Sequence, residues 1–280
     1  MDGRLKAAHD ELGVLIQMRQ IPRLLSIAGS DSSGGAGIQA DIKTASALGA
    51  YAMTAITAIT AQDTTGVGAV QLVDPAIVAE QIERCLSDIG ADAIKTGMLG
   101  SAAIARAAAA ALARYAKGMP LVVDPVMVAT SGAALADPAT IEVLKAEFFP
   151  RAALITPNIP EATRLCGFAL NTPDEITHAG ETLLSLGPHA VLIKGGHSAS
   201  DTMTDMLFTL DAAPRAYSAK RIDTKHTHGT GCALSAAIAC GLGQGMELTD
   251  AVQRAHDFVQ NAIRTAPGLG AGNGPLNLLR

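Results

Sequence analysis

The stretch RLLSIAGSDSSGGAGIQADIKTASAL, residues 23–48, decides the fold. It opens on a short apolar run with strand character (23–29), crosses a loop of glycines and serines, and continues in a helical pattern over 37–48. The same alternation recurs down the chain. Strand-like runs stand at 53–60 (MTAITAIT), 93–96, 120–124 (PLVVD), 153–156, 190–194 and 203–209. Helical patterns cover 75–89, 101–116, 160–166, 173–186, 231–241 and 249–265, with Pro75 suited to a first turn and Ser101 to an N-cap. Runs such as LVV and VLI are apolar at every position. Such strands are buried on both faces, which predicts a largely parallel sheet covered by helices on each side. No repeat or linker divides residues 21–280, so one domain is expected there, with residues 1–20 as an N-terminal extension.

The bulk composition limits the partners. Of 280 residues, 49% are apolar and 3% aromatic, with no Trp, so Ala, Val, Ile and Leu must fill the core. The net charge of −5 and the lack of a Lys/Arg block argue against nucleic acid, whose phosphates need a basic surface. The four cysteines have no CxxC spacing, so neither a zinc site nor disulfides are expected. No apolar run approaches the roughly 20 residues that span a bilayer. The apolar stretch 12–18 follows Asp10 and Glu11 and lacks a small-residue cleavage site, which argues against a signal peptide and for the cytoplasm.

In sheets of this class ligands bind at the carboxyl ends of the strands. Asp31, Gln62, Lys95 to Met98, Asp124, Asn158, Glu161, Lys194 and the glycines around Gly231 all end or follow predicted strands, so they are expected to converge on one edge of the sheet. Residues 35–40 fit G-x-G-x-x-A, a dinucleotide fingerprint. Against it, the turn from Gly29 to Gly35 is long, and Asp31 would oppose a pyrophosphate. The segment lacks the Gly-Lys-Ser/Thr of a phosphate-binding P-loop. It reads better as the wall of a substrate pocket, with Asp41 facing that pocket from the helix.

KHTHGTGCALSAA (225–237) is the most informative segment. Gly229, Thr230 and Gly231 allow close approach of backbone to ligand. The helix that follows presents unpaired N–H groups and the positive end of its dipole to an anion, such as a phosphoryl group in transfer. Cys232, in the first helical turn, has its thiolate favoured there and is expected to accept a proton near neutral pH. The plainer reading is an inert core thiol, and Cys85, Cys166 and Cys240 keep it. Asn158 and Glu161 suit hydrated Mg2+ but suit a capped helix start equally well. Asp124 is either a second hard-oxygen ligand or a turn residue before Pro125. Lys194, before Gly195 and Gly196, suits phosphate or a solvated turn. Gln62 offers both donor and acceptor to a heteroaromatic ring. His197, His226 and His228 match no zinc spacing.

Together IAGSDSSGGAGIQADIKTASALGAY, ITAITAQDT, KTGMLG, VVDPVM, LITPNIPEA, KGGH and THGTGC, in this order from about residue 21 to 275, resemble the hydroxymethylpyrimidine/phosphomethylpyrimidine kinases of thiamine biosynthesis. The resemblance implies a ribokinase-like three-layer α/β/α fold with a mostly parallel central sheet, and a homodimer. It implies two successive ATP-dependent phosphorylations, of 4-amino-5-hydroxymethyl-2-methylpyrimidine and then of its monophosphate. Carried over, the pyrimidine pocket comprises Gly29, Asp41, Gln62, Met98 and Val126. ATP meets Asn158, Lys194, Thr227 and His228, and Mg2+ meets Asp124 and Glu161. Gly229, Thr230, Gly231 and Cys232 carry the transfer, Cys232 standing where most ribokinase-like enzymes have Asp. Residues 128–133 resemble a flap. The N-terminal extension and Leu278, where His is common, depart from the pattern. The alternatives are a pyridoxal/pyridoxine kinase of the same fold, a nicotinamide-dependent oxidoreductase using residues 35–40 and Asp63, and a silent binding protein for thiamine precursors.

Overall fold

A computed structural model describes residues 21–128, 135–195 and 201–279. The expected extension over 1–20, His197, and all of the expected flap except Val128 lie outside these residues. Among the described residues nine strands form one sheet: β1 (Arg23–Asp31), β2 (Tyr51–Gln62), β3 (Val67–Leu72), β4 (Ala93–Thr96), β5 (Leu121–Val123), β6 (Leu154–Ile155), β7 (Ala190–Ile193), β8 (Thr202–Thr209) and β9 (Arg215–Lys220). Their order is β3-β2-β1-β4-β5-β6-β7-β8-β9. The six strands from β2 to β7 run parallel, and β3, β8 and β9 are antiparallel additions at the two ends. The helices are α1 (Gly37–Ala47), α2 (Pro75–Arg84), α3 (Ala102–Tyr115), α4 (Pro138–Val143), α5 (Ile159–Cys166), α6 (Pro173–Leu184), α7 (Thr230–Gly243) and α8 (Leu248–Arg264).

The strand period of two divides the core. Leu25, Ile27, Val123, Ile155, Val191 and Ile193 pack with α2 to α6 on one face. Their chain neighbours Leu24, Val122, Leu154, Ala190 and Leu192 pack with α1, α7 and α8 on the other. Both faces of each central strand are therefore covered, as the unbroken apolar runs predict.

Local capping fixes where the helices begin. Asp74, Ser101 and Asp137 accept backbone N–H groups of α2, α3 and α4. Asn158 and Thr172 form reciprocal capping boxes with Glu161 and Glu175. Helix α7 is buried nearly all round, which its Ala, Gly, Leu and Ile content permits. Strands β3 and β9 and helix α4 were not expected from sequence. The first two are sheet edges, largely exposed and without a period-two apolar pattern. The third has only six residues. Among the described residues no helix is long and apolar enough to cross a membrane.

Candidate active site

The carboxyl ends of β1, β2, β4, β5 and β7 open into a single cavity of about 690 Å³, closed from the side by the starts of α1, α5 and α7. This is an ordinary size for a small-molecule site. Gly29, Gln62, Met98, Val126, Asp124, Asn158, Glu161, Lys194, Thr227, His228, Gly229, Thr230, Gly231 and Cys232 all line it. The convergence expected from strand ends is therefore present in space.

Asp41 is the exception. It was expected to face the pocket, but its carboxylate is fully buried beneath the cavity. Helix α1 lies on the sheet, and position 41 points into that contact. A carboxylate there needs a cation, and Lys95 Nζ supplies it at 2.9 and 3.0 Å, with Ser26 Oγ donating at 2.5 Å. Burial pushes the Asp41 carboxyl up, against the pull of Lys95 and Ser26. Burial would lower Lys95, but Asp41 overrides it and holds the ammonium above the ordinary lysine range. Lys95, not Asp41, reaches the cavity.

At the apolar end, Gly29 is where Met98 folds over: a Cβ on Gly29 would lie 2.5 Å from Met98 Cε. Asp31 organises the glycine loop from inside. Its carboxylate accepts the N–H groups of Ser33 (2.9 Å), Gly35 (3.2 Å) and Ala36 (2.9 Å), the Ser33 hydroxyl, and His228 Nε2 at 2.8 Å. Burial opposes ionisation, but the hydrogen bonds from His228 and Ser33 outweigh it and hold the carboxyl at about 2. These loop amides are the ones a pyrophosphate would need, which removes the support for the dinucleotide reading. His228, expected beside ATP, packs against Asp31 with its Nε2 3.4 Å from the Gln62 amide.

The other end is cationic. Lys194 Nζ lies 2.9 Å from Asp124 Oδ1, which also accepts from Thr156, while Ser235 donates to Oδ2 at 3.4 Å. Burial depresses Lys194, but Asp124 and Glu161 raise it above its ordinary value. An isolated parallel bridge between Asn158 and Lys194 extends β6 and β7 to this point. Asn158 and Glu161 make the capping box, and Glu161 Oε1 also accepts from Met127 N at 3.4 Å. Both sequence readings of this pair thus meet at one place: a helix cap whose residues also face the cavity. Among the described residues no group of three or more His, Cys, Asp or Glu gathers as a metal cage. Two hard carboxylates, Asp124 and Glu161, fit Mg2+, which takes few protein oxygens and completes its shell with water and phosphate.

Helix α7 begins between the two ends. Its N-cap, Gly229, has φ +86, and a Cβ there would lie 1.9 Å from the Gly35 carbonyl oxygen. The two glycine segments therefore close on each other, leaving the first amides of α7 at the cavity. Cys232 is half-buried beside them. The sequence led to an expectation of a thiolate near neutral pH, and this is corrected: burial raises the thiol to about 11 despite the Lys95 ammonium and a hydrogen bond from Gly37 N–H. Burial also holds Cys85, Cys166 and Cys240 above the ordinary thiol range.

Sequence reasoning missed a third region. Met203, Ile222, Val259 and Ile263 give an apolar lining beyond Lys194, with Asp205 and His256 among them. Asp205 accepts Gly195 N–H at 2.9 Å. These residues come from β8, the segment after β9, and α8, and no local motif marks them.

The phosphomethylpyrimidine kinase family matches residues 31–277 of the chain. The thiamine biosynthesis bifunctional protein of Geobacter sulfurreducens is 47% identical over 273 residues, which cover 96% of this chain and 55% of that protein. The hydroxymethylpyrimidine/phosphomethylpyrimidine kinase of Rhizobium meliloti is 47% identical over 256 residues, 90% of this chain and 95% of that one. The chain thus spans about half of the bifunctional relative and nearly all of the R. meliloti kinase. Among solved structures, an ADP complex of Bacillus subtilis pyridoxal kinase has a TM-score of 0.84 and 35% identity, covering 92% of this chain and 97% of that one.

Proposed function

The chain belongs to the phosphomethylpyrimidine kinase family, and from that premise we propose that it transfers the γ-phosphoryl group of ATP to 4-amino-5-hydroxymethyl-2-methylpyrimidine and then to the resulting monophosphate. Residues 21–280 act as one kinase domain, and the cytoplasm supplies its nucleotide.

The observation that carries this reading is the single cavity with two unlike ends joined at a helix start. Gly29, Gln62, Met98 and Val126 make a mostly apolar end with one amide, suited to a small heteroaromatic ring. Lys194, Asn158 and Thr227 make the end suited to phosphates, and the existence of an ADP complex of the pyridoxal kinase relative supports nucleotide binding by this fold. The Gly229–Gly231 amides and the positive end of α7 lie where charge develops on the transferring group, which is where phosphoryl transfer gains most. Asp124 and Glu161 would hold Mg2+, whose contribution when bound is to share the charge of the phosphates.

Cys232 takes the alcohol proton in the first transfer. In the second the nucleophile is a phosphate oxygen, already anionic near neutral pH, and needs little help from a base. Mass spectrometry of products after incubation with Mg-ATP and the pyrimidine alcohol tests the reading directly. Mono- and diphosphate products are expected, and unchanged alcohol would overturn it. The structural likeness to pyridoxal kinase favours a second reading, phosphorylation of pyridoxal or pyridoxine. A higher kcat/KM for pyridoxal than for the pyrimidine would select it.

A further inference from the structure

Protons can be counted on both sides of the Gln62 amide. Asp31 is ionised at neutral pH and only accepts, so His228 Nε2, 2.8 Å from its carboxylate, carries the hydrogen. At the other side, Thr60 Oγ1 lies 3.0 Å from the Ser30 carbonyl oxygen and gives it its single proton. The structure places Gln62 Oε1 3.1 Å from the same Thr60 oxygen; with its proton on Ser30, Thr60 can only accept there, which an amide oxygen cannot satisfy and an amide nitrogen can. The other end, Gln62 Nε2, lies 3.4 Å from His228 Nε2, nitrogen against nitrogen. The one His228 Nε2 hydrogen is directed at Asp31, and the positive edge it makes repels an amide NH2 and favours an amide oxygen; the Thr60 side calls for the amide nitrogen, so turning the amide over satisfies both ends.

We propose that His228, held by Asp31, and Thr60 are positioning residues that lock Gln62 with its oxygen toward His228 and its nitrogen toward Thr60, fixing the order of acceptor and donor offered to the substrate ring. The proposal rests on the pyrimidine-kinase reading above, and it moves His228 from the nucleotide side of the cavity to the alcohol side. An aminopyrimidine presents an N–H donor on its exocyclic amine beside a ring-nitrogen acceptor. That pair meets a fixed amide in one orientation. The 4-oxo analogue in its N3–H form exchanges both roles, so a locked Gln62 rejects it. An unlocked Gln62 turns over and accepts either.

The test is kcat/KM for the 4-amino and 4-oxo hydroxymethylpyrimidines with the wild-type protein, His228→Ala, His228→Gln and Thr60→Val. A site that must pair buried polar groups discriminates steeply, and the wild type is expected to favour the amine by about a hundredfold or more. In His228→Ala and Thr60→Val the ratio falls at least about tenfold, chiefly because the oxo compound improves, while KM for ATP stays within about twofold. His228→Gln keeps an N–H near the Nε2 position and retains the wild-type preference. Thr60→Val preserves side-chain shape, so it reports even if His228→Ala does not fold. A ratio unchanged in Thr60→Val and in the folded His228 variants overturns the lock, as does a rise in KM for ATP without change in the ratio. Failure of the wild type to phosphorylate either pyrimidine would remove the kinase reading itself, a distinct result.

Discussion

Cys232 sits where two principles oppose each other. The start of α7 and the Lys95 ammonium favour its thiolate, and burial favours the thiol; burial wins, at about 11. Only about one thiol in ten thousand is then ionised at pH 7, at a factor of ten per pH unit. A base in this state makes the alcohol step strongly pH-dependent. With a folded value above the assay range, kcat/KM for the alcohol rises about tenfold per unit between roughly pH 7 and 9, whereas the monophosphate step stays nearly level. Cys232→Ala lowers the alcohol step by about 10²–10⁴ and the monophosphate step by far less. Single-turnover rates for the two substrates that fall equally would remove the base role. Asp31 gives the opposite case. Its folded value of about 2 lies below the ordinary 3.8, so its contribution is present above pH 3.8 and lost as pH falls through about 2. The shift corresponds to about 2 kcal/mol. Urea unfolding should show Asp31→Asn less stable by about that amount at pH 6, with the gap closing between pH 4 and 2. A gap independent of pH would place the effect of Asp31 elsewhere than in its charge.

At the scale of elements, the closure of the glycine loop on the start of α7 depends on a backbone that only glycine adopts there. Gly229→Ala meets both a left-handed φ and the Gly35 carbonyl oxygen at 1.9 Å. Strain of about 1–3 kcal/mol is expected from the conformation alone, and the clash adds to it by pushing the two loops apart. Gly245 is the natural control, since it has φ +79 with no atom within 4 Å of an added Cβ. Gly245→Ala should lose only the conformational part, about 1–2 kcal/mol, and keep its kcat/KM, while Gly229→Ala loses at least about a hundredfold in kcat/KM because the donors that meet charge are displaced. Equal activity of the two variants would dissociate the loop contact from catalysis. The contrast also explains what the sequence disclosed. Parallel strands β5 and β7 announce themselves because burial on both faces demands unbroken apolar residues. The glycine loop and the α7 start are equally plain, because close approach of backbones leaves its mark in glycine. Edge strands β3 and β9 carry no such demand, and the far lining at Met203, Ile222 and Val259 is assembled from three distant segments. Asp41 was misread because its residue type suggests a pocket, while its burial and its pairing with Lys95 are facts of packing.

For the whole molecule, the two edges of the sheet are built differently. Strand β9, RAYSAK, carries Arg215 and Lys220, the kind of charge that keeps an edge from pairing. Strand β3, VGAVQL, carries none. Around it Ile59, Val70, Leu72 and Ile77 are 55%, 46%, 42% and 51% exposed, a cluster of large apolar side chains at the bare edge. The occupant expected on such a face is a second copy of the chain. A two-fold axis lets the same patch cover itself, and the homodimer implied by the family resemblance needs no further partner. None of these four residues lines the cavity, so each protomer keeps a complete site. Light scattering coupled to size exclusion should therefore give twice the 28.5 kDa chain mass. Val70→Lys puts a charge at a half-exposed position, where a separate protomer tolerates it and a covered one does not. The variant should run at the single-chain mass with its circular dichroism retained and with kcat/KM within about threefold of wild type, since Val70 does not line the cavity and a charge at an exposed position of a separate protomer disturbs little. A wild type of single-chain mass, or a Val70→Lys protein still at twice that mass, would show that another surface of the molecule, or none, joins the copies.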